Sequence, residues 1–389
     1  MMIKSALALA VSLALGSSAG ASELRRVEHA IPGQYIVVLN DDAVGDPGDA
    51  PGLAKAVERA AVDLAARFDL NVERVYGNAL NGFAAKASAQ SVSRLLHDPR
   101  VAYVEEDGMS FLDATQSGAT WGLDRSDQRD RPLNGSYIYS YVGTYVRAYV
   151  IDSGILAGHS EFGGRVLSGY TAIGDGRGSS DCNGHGTHVS GTIGGKTWGV
   201  AKDVRLVPVR VFGCTGGSSN STIIAGIDWV RANRVLPAVA NMSLGGGASS
   251  ATDTAVNNLI NSGVTVVVAA GNDNANACNY SPARVANAVT VASTTSTDAR
   301  SSFSNYGSCV NIFAPGSSIK SAWYTSTTAT NIISGTSMAS PHVAGAAVLV
   351  LAADSAASPA TVRSLIYNKS SLNKLSDAAG SPNRLLYTR

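Results

Sequence analysis

The chain has 389 residues, is 45% hydrophobic and 15% charged, and carries 41 glycines and a formal net charge of +1. This is the composition of a globular protein rich in tight turns, which excludes a disordered chain and leaves room for two or three domains. Its basic residues form no run and are not interleaved with aromatics, which argues against nucleic-acid binding.

In chain order, the first feature is an export signal. Lys4 supplies a positive charge, residues 6–15 an apolar run, and Ala19-Gly20-Ala21 a small-residue cleavage pattern. The run is too short to span a membrane, and no other stretch reaches about 18 apolar residues. Residues 1–21 are therefore expected to be removed, leaving a secreted protein with no membrane anchor.

Residues 34–39 (QYIVVL) read as a strand, 54–68 as a helix, 71–76 and 82–87 as strands, 90–96 as a short helix and 101–105 as a last strand. The order β-α-β-β-α-β is the ferredoxin-like pattern. Residues 107–120 (DGMSFLDATQSGAT) read as an exposed linker prone to proteolysis. Charge divides at the same place. Residues 22–113 hold 9 Lys+Arg against 15 Asp+Glu, and residues 114–389 hold 20 against 14. Halves of opposite net charge suggest two modules that attract one another.

Beyond the linker, strands at 145–151, 204–212, 239–244 and 264–270 alternate with helices at 184–194, 221–233 and 251–262. A long small-residue helix begins near Ser340. Apolar strands separated by helices predict a parallel, doubly wound α/β sheet. In such sheets, sites form at the carboxyl ends of strands. All four cysteines, Cys182, Cys214, Cys278 and Cys309, lie here. After export an even number favours disulfides. Three connectivities are open. Sequential pairing, 182 with 214 and 278 with 309, closes the two shortest loops and is the expected one. Zinc is a poor alternative because no C-x-x-C spacing occurs.

Four positions carry chemistry. Asp152 follows an apolar strand directly. His185 lies between glycines in NGHGTHVSG, and Asn272 follows the strand in VVVAAGN. Ser337 stands ahead of a helix in GTSMASPHVAG, where Pro341 fits a first helical turn. Each has a bland alternative taken alone: a cap, a structural histidine, an Asx-turn. The pair His185 and His188 lacks the H-E-x-x-H pattern of zinc proteases. Together the four supply a nucleophile, a base titrating near neutral pH, an orienting carboxylate and an oxyanion donor. Chain order discriminates further. An α/β-hydrolase runs Ser…Asp…His around G-x-S-x-G, whereas here position 339 is Ala339 and the order is Asp…His…Ser, that of subtilisin-like proteases.

The segments YVIDSGI, NGHGTHVSGT, ANMSLGGG, AAGNDN and GTSMASPHVAG resemble the signature segments of the subtilase family across residues 120–389. SFSNYGSC, NYSPARVANAVTV and SPNRLLY are similar to its proteinase K branch, and especially to aqualysin-type secreted bacterial proteases. The first module resembles the inhibitory propeptide of these enzymes. The resemblance implies residues 22–113 as propeptide and 114–389 as catalytic domain. The expected product is a monomeric secreted serine endopeptidase, made as a zymogen and matured by its own activity on protein substrates.

It also implies Asp152 as orienter, His185 as base, Ser337 as nucleophile and Asn272 as oxyanion donor. Ser243-Leu244-Gly245 and Gly216-Gly217-Ser218 become the two edges that hold substrate as a strand. Neither edge, nor Ala269-Ala270-Gly271, contains an acidic residue, so apolar or aromatic side chains should be preferred over Lys or Arg. The cysteine spacing resembles the aqualysin branch, whose disulfides pair sequentially. Structural calcium is implied at Asp124, Asp127 and Gln128 with Asn134 and Ser136. At a second family site near Ala286 and Ala288, Asn311 stands where an aspartate would be, which argues against calcium there. Alignment places propeptide cleavage before Ala114.

Overall fold

The computed structural model describes residues 22–27, 30–44, 50–109 and 113–389. The export signal at residues 1–21 lies outside them. The chain divides into two compact units, residues 1–111 and 112–389.

In the first unit, five strands stand in the order Glu23–Arg25, Val101–Gly108, Ala30–Leu39, Gly82–Lys86, Asn71–Tyr76. All neighbours are antiparallel except the first pair. The helices Ala50–Phe68 and Ala89–Leu95 place Val57, Ala61, Leu64 and Val92 against Val37, Phe83 and Val104 of the sheet. Ser88 starts the second helix by accepting a hydrogen bond from the Ser91 amide. The other four strands follow ferredoxin-like order. The edge strand Glu23–Arg25 was not expected; three residues carry too little pattern to be read.

The second unit is built on a nine-stranded sheet. Its six central strands run in the order Ile312–Pro315, Val289–Thr294, Thr265–Ala269, Ala238–Met242, Arg147–Asp152, Arg205–Arg210, all parallel. The fold is thus α/β and doubly wound. The strand Thr265–Ala269 (TVVVA) is buried throughout, because helices cover both faces of the sheet. His185–Gly194, Thr336–Ala353 and Pro359–Lys369 contribute Val189, Ile193, Val343, Val348 and Ile366 to one core. Asn220–Asn233 and Ser250–Asn261 contribute Ile227, Val230, Val256 and Leu259 to the other. Strand order reverses at Arg147–Asp152: the next strand in the chain lies on one side and the later ones on the other. The carboxyl end of that strand is therefore the switch point, where such sheets place their sites. Asp152 ends it.

Beyond shifts of a few residues at strand ends, two boundaries differ from the sequence reading in ways that matter. Part of the expected linker is a strand: Ala114–Ser117 pairs antiparallel with Ser136–Tyr139. Its exposed, polar residues gave no apolar alternation to read. The long helix begins at Thr336, not near Ser340, so Pro341 lies inside it and Ser337 in its first turn. That helix is long and apolar enough to cross a membrane, yet it is mostly buried within this unit as core.

Candidate active site

Asp152 is 1% exposed. Its carboxylate accepts from the Ser153 amide at 2.7 Å, and His185 Nδ1 lies 2.8 and 3.0 Å from its two oxygens. Nδ1–H therefore donates to the carboxylate, and Nε2 is left as the acceptor nitrogen. The glycines around His185 are required by space. A Cβ at Gly184, where φ is +107°, would lie 2.5 Å from the Trp323 ring, and one at Gly186 2.2 Å from the Gly154 carbonyl oxygen. Buried Asp181 shapes this loop, accepting from the Ser153 hydroxyl, the amides of Asn183, Gly184 and Thr187, and the Thr187 hydroxyl. Burial disfavours a charged His185, but the carboxylates of Asp152 and Asp181 outweigh it and hold its pKa above the ordinary 6.5. His188 and His342 are different. Their rings bond to the backbone carbonyls of Ile319 and Met338, and burial pushes both down to about 4.

The His185 helix packs on both the Asp152 strand and the Ser337 helix. Pro341 has no N–H to give to the carbonyl four residues earlier, which belongs to Ser337. The Ser243 hydroxyl satisfies that carbonyl instead, at 2.8 Å. Asn241 donates to the Ser243 hydroxyl at 2.9 Å and accepts from Ser340 at 2.8 Å, so a buried polar chain ties the serine turn to the sheet. The Ser337 hydroxyl itself donates to the Ser243 carbonyl at 3.2 Å.

Asn272 is oriented from its acceptor side. Its Oδ1 accepts from the Thr336 amide at 2.8 Å and the Thr336 hydroxyl at 2.9 Å, which leaves the Nδ2 hydrogens for another partner. A Cβ at Gly335 would lie 3.6 Å from Ser337 N and 3.7 Å from Asn272 Nδ2, so these two nitrogens flank one small space. Beside it opens a cavity of about 210 Å³, lined by Leu244, Gly245 and Gly246, by residues 269–273, and by Tyr280, Ala283, Thr336 and Ser337. The structure thus brings Ser337, Asn272, Leu244, Gly245, Ala269, Ala270 and Gly271 to one cavity, and joins Asp152 to His185.

Asp273 was missed. It adds an acidic group to a pocket otherwise lined by apolar and uncharged polar residues, two residues beyond the end of the charge-free stretch Ala269-Ala270-Gly271. Desolvation and the adjacent Asp273 carboxylate hold the Tyr280 phenol above its ordinary pKa. Thr336 was also missed, although it adjoins the serine in the same motif.

The glycine edge is exposed, and the Ser218 hydroxyl bonds the Val211 carbonyl at 2.6 Å. The Cys182–Cys214 disulfide joins this edge to the loop before His185, and Asn183 donates to the Cys214 carbonyl at 3.0 Å. A second disulfide links Cys278 and Cys309. Asp175 approaches the first disulfide but pairs with Arg210, and disulfide sulfurs are no thiolate ligands for a metal.

Asp124 and Asp127 lie at the end of the helix Trp121–Ser126, 3% and 4% exposed. Asp124 accepts from the side chain of Gln128 and the amides of Asn134 and Gly135. Asn134 Oδ1 caps Ser136. Asp127 Oδ2 accepts from the Ile138 amide, but its buried Oδ1 has no partner. Burial, with the Asp124 charge adding to it, pushes Asp127 up to about 6. Two buried carboxylates with an orphaned oxygen and neighbouring amide and hydroxyl oxygens fit a hard cation such as calcium. At the second position considered for calcium, Asn311 Oδ1 accepts from the Thr290 amide at 2.8 Å and the Ala286 carbonyl accepts from Arg363 at 3.2 Å.

A doubly wound α/β unit with a carboxylate–imidazole pair at its switch point, and a serine in the first turn of a core helix, has the architecture of a serine hydrolase. Comparison with known proteins narrows this. Residues 146–385 match the profile described as Subtilase family, and residues 34–113 that described as Peptidase inhibitor I9. An extracellular serine proteinase of Thermus sp. (strain Rt41A) is 56% identical over 369 residues, 92% of this chain and 90% of that protein. Alkaline serine exoprotease A of Vibrio alginolyticus is 48% identical over 407 residues, 99% of this chain and 76% of that protein. The crystal structure of a cold-adapted subtilisin-like serine proteinase superposes with a TM-score of 0.69 at 56% identity, covering 70% of this chain and 99% of that one. The chain belongs to the subtilase family.

Proposed function

We propose that this protein is a secreted serine endopeptidase in which Ser337 attacks the peptide carbonyl, His185 takes and returns the proton, and Asp152 holds the imidazole. The single observation carrying this reading is Asn272. Its acceptor oxygen is spent on Thr336, so its NH₂ group flanks the same space as the Ser337 amide. Charge developing on the substrate oxygen there meets two donors, one of them at a helix N-terminus. Ser337 Oγ bonds to the carbonyl carbon as its proton passes to His185 Nε2. Collapse of the tetrahedral intermediate expels the amine, which leaves with that proton, and water then hydrolyses the acyl-enzyme by the same route. A fluorophosphonate probe is expected to label Ser337 in a protein that cleaves casein. Hydrolysis of p-nitrophenyl esters with casein left intact would instead make it an esterase.

Residues 1–21 are the export leader in this reading, 22–113 the inhibitory propeptide, and 114–389 the catalytic domain, which acts as a monomer. Substrate lies as a strand between Ser243–Gly245 and Gly216–Ser218, its side chain before the scissile bond in the 210 Å³ cavity. The apolar walls favour apolar and aromatic side chains, and Asp273 at the wall adds tolerance for Lys. Asp273→Ser is expected to lower kcat/KM for a Lys substrate roughly threefold relative to its Phe counterpart, the scale of an exposed charge pair. Equal changes for both would exclude a charge effect.

Asp124, Asp127 and Gln128, with Asn134 and Ser136, would hold one calcium ion, which neutralises the two buried carboxylates. Chelation is expected to lower Tm by on the order of 5–10 °C. In Asp127→Asn the chelator should make no difference; an unchanged chelator response there would move the site elsewhere.

A further inference from the structure

The loop carrying Asn272 has no regular secondary structure between Ala269 and Ala277. Something must nevertheless hold it to within a few tenths of an ångström if its amide is to meet an oxyanion. Thr336 fixes the side chain and, of the backbone, takes only the Gly271 amide, at 3.1 Å. From the opposite side the Phe303 carbonyl takes the Asn274 amide and the Tyr306 amide meets the Ala275 carbonyl, but one side chain, that of Asn305, spans the loop around residue 272. This asparagine is 0% exposed, and its side chain makes no bond to its own segment. Its Oδ1 accepts from the amides of Asp273 at 2.9 Å and Ala275 at 3.0 Å, and its Nδ2 donates to the Ala270 carbonyl at 2.9 Å. Its own amide donates to the Gly271 carbonyl at 2.9 Å. Asn305 therefore bonds the backbone on both sides of Asn272 and leaves residue 272 between the clamped points. The approach is close enough to demand glycine at 271: a Cβ there would lie 2.3 Å from Asn305 Nδ2, and φ is +101°.

Asparagine suits this task. A single planar amide accepts two N–H groups and donates to a carbonyl, and neither a carboxylate nor a hydroxyl of similar size offers both functions in that geometry. A buried side chain spent entirely on a neighbouring loop is more than packing, because the groups it satisfies belong to the loop that carries the site.

We propose that Asn305 is a positioning residue of the reaction, which sets the oxyanion donor Asn272 by clamping the backbone of residues 270–275. This rests on reading Asn272 as the donor. The test is a cycle of wild type, Asn272→Ala, Asn305→Ala and the double variant. Each is assayed for kcat and KM on a peptide anilide and normalised by active-site titration so that only competent molecules are counted. Asn272→Ala is expected to lower kcat by on the order of 10²–10³, and Asn305→Ala by on the order of tenfold. In the Asn272→Ala background, Asn305→Ala should cost no more than about twofold, because the group it positions is already gone. An equal loss in both backgrounds would reduce Asn305 to a structural residue and overturn the proposal. If Asn272→Ala alone leaves kcat unchanged, the assignment of Asn272 falls, and this proposal with it. Should Asn305→Ala yield no titratable enzyme, Asn305→Asp keeps the two accepted bonds but turns a carboxylate oxygen, in place of the NH₂ group, toward the Ala270 carbonyl. Its kcat loss must likewise vanish when Asn272 is absent, and an undiminished loss overturns the proposal.

Discussion

Asp152→Asn is expected to lower kcat by on the order of 10⁴ while the fold is retained. The native carboxylate is 1% exposed and holds His185 Nδ1 within 2.8 and 3.0 Å of its oxygens, so Nδ1 must carry the ring proton. An asparagine amide of the same shape can turn its NH₂ toward Nδ1. That favours the tautomer protonated on Nε2, which can no longer take a proton from Ser337. A pH profile adds a second reading. In the proposed role of base His185 works only when neutral, and its pKa is held above 6.5, so activity should be lost as pH falls through a value above that of an ordinary histidine. Removing the Asp152 charge removes the foremost influence raising that pKa, so the residual activity of the variant should persist to lower pH. A kcat within tenfold of wild type would remove Asp152 from the mechanism.

Ser337→Ala should give a precursor that is exported and folded but never cut. The hydroxyl makes only the 3.2 Å bond to the Ser243 carbonyl, so its removal costs about 1 kcal/mol of stability at most. If it is the nucleophile, as proposed, its loss should lower kcat by on the order of 10⁶. Intact mass and N-terminal sequencing of the secreted variant should therefore return the propeptide still joined to the catalytic unit, and trace active enzyme added in trans should convert it. Normal maturation of the variant expressed alone would mean that another protease performs the cut.

The parallel architecture was legible because its central strands are runs such as TVVVA at residues 265–269, too apolar to lie anywhere but between two helical layers. The strand Val289–Thr294 was not read, although its residues are all buried, because Thr290, Ser293 and Thr294 disguise a core strand as a polar segment. The hydroxyls of Thr290 and Ser293 are buried because the chain turns back on the strand, bringing the Ala283 carbonyl to Thr290 and the Ser301 hydroxyl to Ser293, which the strand's own residues do not announce. The start of the serine helix was misplaced for a related reason. Pro341 signals a first turn unless some distant group takes over the carbonyl it cannot serve, and Ser243 is that group. The candidate chemical residues could be named because each stands at the end of a strand or in a glycine-flanked motif. Asp273, Asp181 and Asn305 could not, since their roles depend on which loops meet in space.

The Cys182–Cys214 bridge gives the cleft a dependence on where the protein folds. One sulfur immediately follows Asp181, whose carboxylate shapes the His185 loop, and the other lies two residues before the exposed glycine edge. In the reducing cytosol these two loops would be joined by little more than the Asn183 bond to the Cys214 carbonyl. Only in an oxidising compartment does a covalent cross-link unite them.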